Sequence, residues 1–220
     1  CGVLVDANVE LGKYQDAIAM CDKMLQLKPS LEAYSRASYL REIHGDYPGA
    51  KQAMMMAVQA GVPGMESEEW ARVALGDLYL NTGNLDSAQT EYETALSVRP
   101  QYPNAEIGLA KIEKAKRNYD AAIKHTENAI RIVSQAAYVF QLGELYDLKG
   151  DKEKAKEVKT DVVSLLQENE KGQDNVVMKH NANRELANAY LAVDDLDKAA
   201  TYADNDLALR PDNIDANELV

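Results

Sequence analysis

Residues 75–88 read LGDLYLNTGNLDSA, and residues 142–155 read LGELYDLKGDKEKA. Leu-Gly, a Tyr, a Gly and a closing Ala recur at the same spacing, 67 residues apart. Searching outward on the closing alanine finds Ala17, Ala50, Ala88, Ala122, Ala155 and Ala199, at intervals of 33, 38, 34, 33 and 44. Self-similarity near this period predicts a helical array, because one packing problem is being solved repeatedly.

The third copy is the most complete, with Leu75, Gly76, Tyr79, Gly83, Ala88, Tyr92, Ala95 and Pro100. Leu75, Gly76 and Tyr79 fall on one face of a first helix at about 100° per residue. Gly76 admits a neighbouring backbone, Gly83 supplies a left-handed stop, and Asn84 caps a second helix. Ala88, Tyr92, Ala95 and Leu96 give that helix an apolar stripe, and Pro100 ends it. These residues resemble the signature of the tetratricopeptide repeat (TPR), which fits their order better than Sel1-like or pentatricopeptide repeats do.

The other copies vary the pattern. The second keeps Gly45, Asp46, Tyr47, Ala50 and Ala57 but has Ala37-Ser38 for Leu-Gly; the fourth keeps Leu109, Ala110, Tyr119 and Ala122 but has Arg117 at the turn. The fifth keeps Leu142, Gly143, Tyr146 and Gly150, the sixth keeps Leu186, Ala187, Tyr190 and Pro211 with Asp194 at its turn, and the first retains Leu4, Gly12, Tyr14 and Pro29. The resemblance implies an all-α fold, an α-solenoid coiled as a right-handed superhelix of about six helix-turn-helix units, each buried against its neighbours. The expected array spans 1–211, with copies at about 1–31, 32–64, 69–102, 103–135, 136–170 and 180–213. GVPGMESE near 61–68 and a polar loop at about 168–175 lengthen two connections, and 212–220 begins a further helix or cap. Cys1 lies inside a helical pattern, so the sequence reads as a piece cut at both ends.

Composition narrows the function. A formal charge of -12 opposes nucleic-acid phosphate and anionic lipid, and no apolar run approaches a membrane span. The expectation is a soluble chain, cytoplasmic or exported to the periplasm. Cys1 and Cys21 match no zinc or redox spacing and read as buried or unpaired thiols. His44, His125 and His180 are scattered, and no phosphate loop, nucleophile elbow or HExxH occurs. The chain is therefore read as no enzyme, with no cofactor or metal. The run Met54-Met55-Met56 reads as flexible core filling.

In the family, first helices line a concave groove while the signature residues pack. Opposite the signature stripe stand Trp70, Val73 and Asp77 in the third copy, Asn104, Ile107 and Lys111 in the fourth, and Ala137, Phe140 and Glu144 in the fifth. Val73, Ile107 and Phe140 would form an apolar track if they meet solvent; the alternative is that they pack against neighbouring helices. Tyr39, Arg184 and Asn188 extend the candidate partner-binding face. The Lys-Asn-Arg clamp of chaperone-tail-binding repeats is absent; only Arg184 with Asn188 resembles it. A basic stretch from Lys111 to Arg131 reads either as a solvated face with Glu113, Asp120 and Glu127 or as a receptor for an acidic segment.

The resemblance implies a noncatalytic scaffold of bacterial type that binds a protein or peptide segment on its concave face. The alternative is a spacer or self-associating module of a larger protein, a homo-oligomer in the simplest case, with any catalytic domain lying elsewhere.

Overall fold

The computed structural model describes residues 1–172 and 182–220. Its described residues form thirteen helices and no strand: α1 (Gly2–Glu10), α2 (Tyr14–Leu27), α3 (Leu31–Ile43), α4 (Tyr47–Ala60), α5 (Glu66–Asn81), α6 (Leu85–Val98), α7 (Pro103–Ala115), α8 (Tyr119–Ile132), α9 (Ala136–Lys149), α10 (Lys152–Gly172), α11 (Asn183–Ala192), α12 (Leu196–Leu209) and α13 (Ile214–Leu219). Consecutive helices pack as antiparallel pairs, so the fold is the all-α array of helix-turn-helix units. Two compact units divide it, Cys1–Ile132 and Val133–Val220.

Six turns join the helices of the pairs, and all six use one backbone solution. The turn residue is left-handed in each: Gly12, Gly45, Gly83 and Gly150, and also Arg117 and Asp194, both at φ 61°. The following amide then reaches back to a first-helix carbonyl, as Asn84 N–H does to Tyr79 at 2.9 Å and Asn118 N–H to Glu113 at 2.8 Å. These bonds satisfy carbonyls that the helix end leaves open. Asp46, Asn84 and Asp195 cap the second helix, their side chains accepting from the amides of Gly49, Ser87 and Lys198.

Beyond the turn, the closing alanines are buried in every copy, from 0% exposed at Ala17 to 8% at Ala199. A larger side chain there would force the paired helices apart. In the first unit each first helix also meets the first helix of the next copy, α1 with α3, α3 with α5 and α5 with α7. The closest of these junctions holds Tyr92, fully buried, between two glycines. A Cβ at Gly76 would stand 2.5 Å from its Cε1, and one at Gly108 would stand 2.4 Å from the same atom. The second copy places Ser38 where Gly76 stands; its hydroxyl is buried and donates to the Ala50 carbonyl at 2.8 Å. In the second unit Gly143 gives the same clearance to the stem of Lys159, whose ammonium meets Asp147.

Three expectations are corrected. Residues 168–172 of the predicted polar loop continue α10, while 173–175 and His180 lie outside the described residues. The extra length near 61–68 is spent partly on helix, because α5 starts at Glu66 and runs 16 residues against 13 in α3 and in α7. Of the methionine run only Met54 is core, at 4% exposed; Met55 and Met56 face outward at 38% and 39%.

Overpacking a helix junction costs about 1–3 kcal/mol, more than the ~1 kcal/mol that alanine gains over glycine in a helix. Gly76→Ala and Gly108→Ala should each lower the urea midpoint, and the loss should shrink when either is made in a Tyr92→Leu background. A neutral result in the Tyr92 background contradicts the close packing. Conversely, Arg117→Gly should raise stability by roughly 0.5–1 kcal/mol, because an L-residue is strained in the left-handed region; a loss of stability in thermal unfolding would count against that strain.

Candidate functional site

One face of α3 repeats at helical spacing as the buried Ser35, then Arg36, Tyr39 and Glu42, and one face of α5 as Trp70, Ala74 and Asp77. With Asp6 of α1 they line a mostly apolar groove of about 410 Å³ in the first unit, floored by Met54 and Leu78. Tyr39 and Trp70 remain 40% and 45% exposed there. The structure thus brings together three of the sequence-predicted positions, Tyr39, Trp70 and Asp77.

Val73 and Ile107 are corrected: both are 7% exposed and belong to the interior. Val73 joins the buried cluster of Ala88, Tyr92, Tyr102 and Ala105, because a first helix is covered by its own second helix and by the next first helix. The apolar track expected from the helical wheel is therefore absent at these positions. Phe140 is partly buried against Val163, Leu186, Ala189 and Tyr190 in the second unit.

Charges in the first groove are organised across copies. Arg36 donates to Asp6 through two bonds, Nε–Oδ1 at 2.8 Å and Nη2–Oδ2 at 2.7 Å, and through Nη1 to the Glu32 carbonyl at 2.9 Å. The sequence reading missed this pair, since its members are 30 residues apart and carry no motif. Asp77 Oδ1 accepts from the Tyr92 hydroxyl at 3.0 Å and from Lys111 Nζ at 2.8 Å. Burial, then the charge of Asp77 and its hydrogen bond, push the Tyr92 phenol far above its ordinary range, so it stays a neutral donor. Lys111 is thereby paired with an acid that lines the groove. Lys116 of the basic stretch likewise meets Glu113 at 3.2 Å and Gln89 at 3.2 Å, the behaviour of a paired, solvated face.

A second groove, of about 470 Å³, lies wholly within the second unit and is lined by Phe140 and Glu144 of α9, Lys159 of α10 and Asn188 of α11. Lys159, ahead of Lys152, holds the Asp147 carboxyl below the usual carboxylate range by hydrogen bonding. Arg184 is not on this groove: its Nη2 lies 2.9 Å from Asp215 Oδ2, and its Nε lies 4.0 Å from the buried Asp206. Asn188 donates to the Arg184 carbonyl at 3.0 Å, so the two do not form a clamp.

Comparison with known proteins agrees with this geometry. Residues 73–138 match a family model described as tetratricopeptide repeat, and residues 136–165 match a second of the same description. The sequence has no match among curated proteins. A tetratricopeptide repeat protein from Parabacteroides merdae is 17% identical, with a TM-score of 0.67 over 99% of this chain and 80% of that one. PilW, described as a widely conserved type IV pilus biogenesis factor, is 17% identical at a TM-score of 0.62, covering 74% of each chain. A chain of the APC/C hetero-tetramer Cut9-Hcn1 is 20% identical at a TM-score of 0.57 over 94% of this chain, which spans 39% of that chain's length. These likenesses are of fold.

Glu42 carries the pH dependence of the first groove. Its carboxyl is held above the ordinary range by desolvation first and by the charge of Asp77 after it, with the Asn81 amide pulling the other way. A raised folded pKa means stability that is fully present below the unfolded value and lost as pH rises through the folded one. Glu42→Gln should therefore melt higher than wild type near neutral pH, with the difference closing below about pH 4. A constant difference across that range would mean that ionisation of Glu42 is not its cause.

Proposed function

We propose that this chain, a multi-repeat member of the tetratricopeptide superfamily, is a noncatalytic scaffold that holds a protein segment against the first helices of its copies. One observation carries the reading: Trp70 and Tyr39, large aromatic side chains, stay 45% and 40% exposed in a groove whose floor, Met54 and Leu78, is interior. Aromatic residues of this kind supply much of the binding energy at protein interfaces. The superfamily's repeat is in general a protein-interaction fold.

The polar groups of the groove support holding rather than chemistry. Ser35 donates to the Glu32 carbonyl at 3.3 Å, and Arg36 is occupied by Asp6. No group of three or more metal-ligating side chains occurs among the described residues. The charge of -12 favours a protein partner over nucleic acid. Among the described residues no helix is long and apolar enough to cross a membrane.

Photo-crosslinking tests the reading. Benzoylphenylalanine placed at position 70 in the groove should capture a protein partner that the same group at position 56, on the exposed face of α4, does not. Trp70→Ala should weaken capture by on the order of tenfold while leaving the melting temperature within a few degrees. Equal capture from both positions would place the binding surface elsewhere.

A further inference from the structure

The geometry points to a specific occupant for the first groove: an extended protein segment that places a lysine or arginine about three residues from an apolar side chain. The inference rests on the docking reading above and adds the chemistry of the partner.

Charge carries the first half. Four of the groove's lining residues are ionisable acids or bases, Asp6, Glu42 and Asp77 against Arg36 alone. Arg36 has committed all three of its nitrogens, to both oxygens of Asp6 and to the Glu32 carbonyl, so the groove neutralises its own cation and keeps an acidic remainder. Lys111 of the next copy pairs with Asp77 at 2.8 Å, so the groove's remaining charge sits on Glu42, which accepts a long 3.5 Å bond from Asn81. Two carboxylates from neighbouring copies thus face one groove wall, close enough that Asp77 disfavours ionisation of Glu42. A cation set beside Glu42 offsets its desolvation and its repulsion by Asp77, and replaces a long hydrogen bond with a charge-assisted one. The overall charge of -12 draws a basic segment in from a distance.

Spacing carries the second half. Trp70 and Asp77 share a face of α5 two turns apart, which is about 10.5 Å along the axis. A segment in the extended polyproline II conformation covers about 9 Å in three residues and brings every third side chain back to the same face. Trp70 and Tyr39 then receive the apolar side chain and the aliphatic stem of the basic one, with cation–π attraction available to the charged head.

The test uses two fluorescein-labelled nonapeptide mixtures with the fixed cores Leu-X-X-Lys and Leu-X-X-Glu, X being uncharged. Binding is read by anisotropy and by the emission of Trp70, the chain's only tryptophan. The lysine mixture should bind on the order of tenfold more tightly than the glutamate mixture and weaken as salt is raised. Glu42→Gln, with its fold checked by circular dichroism, should remove most of that preference by weakening the lysine mixture, with the glutamate mixture unchanged or slightly tightened. Asp77→Asn is the second variant, with thermal melting as its control, because Asp77 also holds Tyr92. Equal binding of the two mixtures, or preference for glutamate, overturns the inference and leaves the docking reading standing. Binding of neither mixture, with Trp70 emission unmoved, overturns both.

Discussion

The ring of Tyr92 between Gly76 and Gly108 sets how closely two successive copies approach. The ring is fully buried, and removing a side chain of this size from water stabilises the fold by about 3 kcal/mol. Glycine is required on both sides because a single added carbon would overlap the ring. The hydroxyl of the same side chain donates to Asp77, which lines the groove and also takes Lys111 from the next copy. One residue therefore spaces the helices in the core and holds an acid on the wall of the groove.

The turns contribute the second constraint. All six close with a left-handed residue and a backbone bond to the preceding helix, even where the side chain is Arg117 or Asp194. Because the backbone is satisfied internally, the turns need no particular side chain toward solvent. Exposed positions on the first helices are thus released to differ from copy to copy. Glu42 is a case in point: its half-buried carboxylate is held above the ordinary range by desolvation first and by the charge of Asp77.

The residues that repeat were legible because each has a local physical meaning: Gly83 stops a helix, Asn84 caps one, and Ala88 lets two helices touch. Tyr39, Trp70 and Asp77 were also legible, since helical spacing places them away from the signature stripe. Of the two readings open for Val73 and Ile107 the packed one holds, for a definite reason. A helical wheel opposes one buried face to one exposed face, whereas α5 and α7 are covered by second helices and by neighbouring first helices as well. The partners of Arg184 were not legible, because Asp206 and Asp215, which engage it, lie on other helices.

By itself the sequence determined the helical pairs, their left-handed turns and the small residues where helices meet, since these follow from backbone geometry and near-neighbour spacing. Only the tertiary structure decided which polar and apolar side chains remain available. The bonding of Arg36 to Asp6, the joining of Asp77 to both Tyr92 and Lys111, and the meeting of Glu42 with Asp77 bring together residues 15 to 35 positions apart. Such charges are tuned by burial and by partners in other copies, and neither is written in any one helix.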